Sequence, residues 1–176
     1  NKPDQLIIEK LIKRRWAIIW HLGLSFIGVS ISFYLGWKLG NLLIGVFNLF
    51  CVLLLWLYST TFKRQLLIGN IIISLLTSWV ILVLYMAELN FFSDQFDASY
   101  SKLLTKIYKY AVMYGGFAFM ISLVREVIKD MEDYQGDEKY DCKTMPIAWG
   151  FPATKVFVAV WLVVLIGALL IIQFYA

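Results

Sequence analysis

The chain has 176 residues, 61% of them hydrophobic and only 16% charged, with a formal net charge of +4. A soluble domain carries about a quarter charged residues, and a mean hydropathy of +0.74 excludes that class in favour of an integral membrane protein. The basic excess flanks apolar runs instead of forming a basic patch, so nucleic acid is excluded as a partner. Cys51 and Cys142 have neither paired nor metal-type spacing.

Taken in chain order, Asn1-Lys2-Pro3-Asp4 forms a polar start with no initiating Met, and the chain stops inside an apolar run. Such ends are those expected of a piece of a longer polytopic protein. No cleavable signal is visible, because the first apolar run follows a basic helix start and is too long for a signal core. Charge-free runs then predict five spans, at about 16–37, 39–62, 65–87, 104–126 and 153–175, each near the roughly 20 residues that a bilayer core requires. The fourth is the shortest run, Tyr110–Val124, extended by Lys106, Lys109 and Arg125, whose stems reach the headgroups. The fold class is therefore all-α: a polytopic transmembrane helix bundle, with residues 1–176 as one transmembrane segment and helices over 8–36, 40–61, 66–89, 103–133 and 153–175. Asn90–Ser101, with Asp94 and Asp97, reads as a loop, and Pro146 and Pro152 bracket the turn into the last helix.

Five spans put the amino-terminal segment and the loops after spans two and four on one side. That side holds twelve of the sixteen Lys and Arg residues; only Lys38, Lys102, Lys106 and Lys109 lie on the other. The bias predicts that the twelve-residue side is cytoplasmic.

Two loops on that side are unusually polar. Tyr58-Ser-Thr-Thr-Phe-Lys63-Arg64, followed by Gln65 and Asn70, offers a phenol, hydroxyls and two cations. Arg binds phosphate bidentately and Lys binds it as a point charge; the plainer reading is a positive-inside anchor. The second loop packs Glu126, Asp130, Glu132, Asp133, Asp137, Glu138 and Asp141 into one short run. On a continuous helix Asp130, Asp133 and Asp137 fall at i, i+3 and i+7, on one face. Bare, they repel; Mg²⁺ reverses that sign, since hard cations take carboxylate oxygens and share their shell with water and phosphate. A solvated helix end balanced by Lys129 and Lys139 is the plainer alternative. An EF-hand does not fit, because Gln135 occupies the position that needs Gly.

The acidic loop resembles the second aspartate-rich motif of the UbiA superfamily of intramembrane prenyltransferases. The matching residues are Asp133-Tyr-Gln-Gly-Asp137, the Arg125-Glu-Val-Ile-Lys-Asp130 lead-in and the Lys143-Thr144-Met-Pro146 ending. Tyr58…Lys63-Arg64 resembles the family's Tyr-and-Lys element, and Asn1–Asp4 the segment after its first aspartate-rich motif. Matched so, the chain covers helices three to seven of a nine-helix fold. It departs from the pattern in three ways: the first motif is absent, Tyr58 and Lys63 are five apart where many members have four, and a common glycine is Asp141.

The resemblance implies a Mg²⁺-dependent transfer of an isoprenyl group from a prenyl diphosphate to a lipophilic acceptor, either a glycerol-phosphate lipid or an aromatic quinone precursor. It implies Asp133, Asp137 and Lys143 as catalytic residues and Asp130, Asp133 and Asp137 as metal ligands. Tyr58, Lys63, Arg64 and Arg125 are implied for the diphosphate. Trp79, Tyr85, Phe117 and Phe119 are candidates to line the prenyl tail, with helix packing as the plainer reading; Gly115-Gly116 reads as close helix approach, and His21 as a packed residue. The competing class is a transporter with a cytoplasmic cation vestibule, which requires ionisable residues along the spans.

Overall fold

The computed structural model describes residues 13–91 and 98–175, and these contain seven α-helices and no strand. The Asn1–Asp4 match and the loop carboxylates Asp94 and Asp97 lie outside the described residues. Five helices are long and apolar enough to cross a bilayer: α1 (Arg14–Lys38), α2 (Leu43–Thr60), α3 (Ile68–Phe91), α4 (Ala98–Glu132) and, last in the chain, α7 (Gly150–Tyr175). Helices satisfy their own backbone polar groups, which hydrocarbon cannot do. Two short helices, α5 (Tyr134–Lys139) and α6 (Met145–Ala148), lie between α4 and α7.

The outer surface is apolar: Phe26 is 75% exposed and Phe174 86% exposed, a distribution that lipid stabilises and water does not. Buried residues cluster on α4, where Leu123, Val124 and Val127 are buried together with Ser122 and Glu126. Helix α4 packs on α3 and α7, while α2 packs on α1 and α3. Small residues permit the α3–α4 approach. A Cβ on Gly115 would sit 3.1 Å from the Ser78 hydroxyl, whereas one on Gly116 would meet nothing within 4 Å. The aromatics fill the seams: Trp79 contacts Phe47 at 4.9 Å and Tyr85 contacts Tyr108 at 5.4 Å between ring centres. Both rings thus pack against a neighbouring helix. His21 is exposed on α1, not packed.

The α1–α2 turn closes on Gly40, at φ +69°. The Gly40 N–H donates to Trp37 O and the Asn41 N–H to Gly36 O, the paired bonds of a Schellman ending. The Asn41 side-chain oxygen then accepts the Leu43 N–H, opening α2.

Three boundaries differ from expectation. Helix α4 begins at Ala98, five residues before the expected start at 103, so part of the expected 90–101 loop is helical. At 35 residues and about 1.5 Å per residue, α4 exceeds the roughly 30 Å hydrocarbon thickness, so its polar ends stand outside it. The last helix begins at Gly150 instead of 153, with Pro146 placed in the first turn of α6. Most consequentially, α4 ends at Glu132, and Asp133 leaves helical geometry at φ −88°, ψ 5° to stand before α5. The expected single face for Asp130, Asp133 and Asp137 therefore does not exist. A short Asp side chain competes with the helical backbone and favours such a break, and Gly136 in α5 lowers helix propensity further.

Candidate functional site

The first polar loop begins where α2 stops. Thr61 breaks the helix at φ −125° and a single 3₁₀ turn, Phe62–Arg64, presents Lys63 and Arg64 outward. Both cations are exposed, while Tyr58, one turn back on α2, is half-buried. The chain then turns sharply at Leu67, in the left-handed region at φ +55°, and enters α3 through Gly69 and Asn70, both buried.

The second loop is closed by hydrogen bonds of its own. The Gly136 and Asp137 N–H groups donate to Asp133 O, at 2.9 and 3.0 Å. At the far end of α5, the Asp141 N–H donates to Glu138 O and the Cys142 N–H to Asp137 O. That is a second Schellman ending, with Asp141 at φ +52° in the left-handed position that glycine occupies most easily. The substitution of the family's usual glycine thus leaves a left-handed backbone in place.

The two loops meet. The Lys143 N–H donates to the Arg64 carbonyl at 2.9 Å, fastening the Cys142–Thr144 segment to the cationic turn. The charges follow. Burial pushes the Asp137 carboxyl above its ordinary value, the Asp133 charge pushes the same way, and Lys63 opposes both. Burial and then Asp137 raise the Cys142 thiol, against Arg64 and Lys63. Tyr58 lies within the fields of Glu126, Asp130 and Asp137. On α5, Tyr134 is held above its usual value by its 3.2 Å hydrogen bond to Glu138, and its ring rests on Phe151 of α7.

The structure therefore brings Tyr58, Lys63, Arg64, Asp133, Asp137 and Lys143 to one end of the bundle. Arg125 behaves differently. Its guanidinium binds its own neighbour, Glu126, at 2.6 Å; Arg125 is 70% exposed and Glu126 only 7%. Residues i and i+1 diverge on a helix, so this pair was not readable from spacing. Asp130 is also engaged, its Oδ2 accepting the Asn70 side-chain N–H at 2.8 Å. Among the described residues no three His, Cys, Asp or Glu side chains stand close enough to share a metal ion, so the expected Asp130–Asp133–Asp137 ligand trio is not assembled. Asp133 and Asp137 nevertheless form a like-charged pair of hard oxygen donors, which suits a Mg²⁺ ion completing its shell elsewhere. The Thr144 hydroxyl, in a residue 3% exposed, has no partner among the described residues.

Sequence reasoning missed Gly69, the Asn70–Asp130 contact and the buried Glu126. A signal was present: Asn70, Ser74 and Thr77 on α3 and Ser122, Glu126 and Asp130 on α4 recur at helical spacing, the mark of polar stripes facing each other. Thr77 and Ser122 do meet, at 3.3 Å.

A five-span helical membrane protein whose polar loops join cations to paired aspartates defines the class. The model of the UbiA prenyltransferase family matches residues 1–176, and the chain belongs to that family. It is 29% identical over 150 residues to a digeranylgeranylglyceryl phosphate synthase of Methanosphaera stadtmanae, covering 85% of this chain and 47% of the relative. Another enzyme of that name, from Methanopyrus kandleri, is 32% identical over 157 residues, with 85% and 47% covered. The one from Methanothermobacter thermautotrophicus is 28% identical over 166 residues, with 93% and 50% covered. The chain thus spans about half the length of these relatives. No solved structure matches it.

Proposed function

We propose that this chain supplies one half of a diphosphate site in a prenyltransferase that alkylates a glycerol-phosphate lipid. The observation that carries the reading is the Lys143–Arg64 backbone hydrogen bond, which holds a cationic turn against an acidic loop. Family membership and the names of the relatives support both the donor class and the acceptor class.

In that reaction the bond between the prenyl carbon and the diphosphate oxygen breaks, with its electron pair leaving on diphosphate. A bond to the acceptor hydroxyl oxygen forms, and the hydroxyl proton passes to solvent or a base. Negative charge grows on the leaving group, and fixed cations stabilise it without reorganising. Lys63, Arg64 and Lys143 are the residues placed to do so, and the Tyr58 phenol is within reach of the same region. Asp133 and Asp137 would hold Mg²⁺, which when bound supplies further charge neutralisation on phosphate oxygens. Asp130 stands behind them, oriented by Asn70. The basic-residue bias supports a cytoplasmic placement of this end.

The charged side chains of α4 lie toward its two ends, Lys102, Lys106 and Lys109 at one and Arg125, Glu126, Lys129, Asp130 and Glu132 at the other, with none between Lys109 and Arg125. That is not the trans-bilayer path that a transporter requires.

The test is Mg²⁺-dependent release of diphosphate from geranylgeranyl diphosphate by the complete polypeptide, with geranylgeranylglyceryl phosphate or an aromatic quinone precursor as acceptor. Release that requires Mg²⁺ and the glycerol-phosphate acceptor, and that collapses in Asp133→Asn and Asp137→Asn, is the expected result. Release indifferent to both substitutions removes the pair from the chemistry.

A further inference from the structure

Gly69 and Asn70 lie in the first turn of α3 and belong to neither polar loop, yet each touches a different part of the site. A Cβ on Gly69 would stand 2.8 Å from the Phe62 carbonyl oxygen and 3.1 Å from Cε2 of Tyr58. The first of these atoms is backbone, at the entry to the 3₁₀ turn that carries Lys63 and Arg64, so it cannot yield cheaply. The second is part of the Tyr58 ring. Asn70 is 7% exposed and donates to the Asp130 carboxylate from the neighbouring helix. Other polar groups in this seam behave differently: the Ser74 and Thr77 hydroxyls bond to carbonyls one turn back on their own helix, and across the seam Thr77 meets only the neutral Ser122 hydroxyl. Only Asn70 among these three uses its side chain to fix a carboxylate.

We propose that the Gly69-Asn70 pair is the positioning element of the site. Gly69 seats the Tyr58 ring and the Lys63–Arg64 turn, and Asn70 orients Asp130 behind the Asp133–Asp137 pair. The inference rests on the reading of these loops as a diphosphate site. Neither residue touches the reacting atoms: Gly69 acts through Tyr58 and the Lys63–Arg64 turn, and Asn70 acts through Asp130. One turn of helix therefore couples the cationic half of the site to the acidic half, because both contacts are anchored on adjacent backbone positions.

Two measurements on the complete polypeptide test it. The first is calorimetric binding of magnesium diphosphate to wild type, Asn70→Ala, Asp130→Ala and the double variant. A positioning role predicts about tenfold weaker binding for each single variant, and a double variant no weaker than Asp130→Ala alone, because contacting groups are coupled. Losses that multiply would show two independent structural effects and overturn the Asn70 half. The second measurement needs no ligand. In a background where every cysteine except Cys142 is replaced by Ser, Lys63→Cys is cross-linked to Cys142 by a short bifunctional thiol reagent, with Gly69 intact or replaced by Ala. Several-fold slower cross-linking in Gly69→Ala is expected; an unchanged rate overturns the Gly69 half. If wild type binds no magnesium diphosphate while cross-linking still responds to Gly69→Ala, the diphosphate reading fails and the geometric claim stands.

Discussion

The α1–α2 hairpin and the α3–α4 pair use the same adhesive and serve different ends. In the hairpin, Asn48 donates to the Ser32 hydroxyl at 2.7 Å, Ser32 donates onward to Ile44 O at 3.3 Å, and Gly45 leaves room for the Phe33 ring. Every group is neutral and each contact is made within the hairpin. In the α3–α4 pair, Gly115 makes room for Ser78 and Thr77 meets Ser122, but the polar series continues through Asn70 to Asp130 and the buried Glu126. Small residues and hydrogen bonds hold helices together in both places. Only the second seam carries its polarity up to charged side chains. That continuation, more than the presence of polar residues in a span, distinguishes the end of the bundle to which the diphosphate site is assigned.

The contrast breaks most sharply on the carboxylates. Asp133→Asn and Asp137→Asn are expected to lower diphosphate release at least about a hundredfold, while Ser32→Ala stays within about twofold of wild type. Stability should move the other way at Asp137. Its carboxyl is raised by burial first and by Asp133 second. A raised folded-state value means that stability is fully present below the ordinary carboxylate range and is lost as pH rises through the raised value. At about pH 7 the folded protein therefore bears the full cost of ionising Asp137. Melting curves of Asp137→Asn should show a small gain in Tm over wild type near pH 7 that disappears near pH 4. A stabilised protein with little activity would show that the acidic pair is kept for chemistry.

The next effect in size belongs to the hairpin. A Cβ at Gly45 would lie 2.6 Å from the Phe33 ring, and overpacking of this kind costs about 1–3 kcal/mol. Gly45→Ala should lower the Tm in detergent and leave the Michaelis constant for geranylgeranyl diphosphate unchanged. An increase in that constant would mean that the hairpin reaches the site after all. Asn48→Ala should cost less, about 0.6 kcal/mol by the average for interhelical hydrogen bonds in membranes, again with activity retained.

The parts legible in the sequence were those governed by one-dimensional patterns. Five apolar runs gave five spans because hydrocarbon thickness sets their length, and the two polar loops were visible because charge at a span end stands out. Illegible were features decided by direction. Asp130, Asp133 and Asp137 looked like one helical face until the chain left the helix at Asp133. Arg125 looked free for a phosphate, but turned to Glu126, whose buried carboxylate requires a partner. Asn70 looked like part of the cationic loop, though it reaches across to α4. The deciding feature is a break in the helix at Asp133, a rotamer choice between adjacent residues at Arg125 and a contact to a neighbouring helix at Asn70, and spacing along the chain carries none of these.

The smallest expected effect compares two turns of the same design. Gly40 ends α1 at φ +69° and Asp141 ends α5 at φ +52°, each followed by the same pair of backbone hydrogen bonds. Glycine enters the left-handed region without penalty, and Asp does so at a modest one. Asp141→Gly removes that strain but also frees the unfolded chain, so the net gain should be only about 0.5 kcal/mol. It also withdraws an exposed carboxylate two residues from Lys143. If the family's usual glycine matters only for backbone shape, Asp141→Gly should raise the Tm slightly and leave magnesium diphosphate affinity alone. If affinity rises as well, Asp141 has been weakening Lys143, and the acidic loop carries one negative charge more than the site uses.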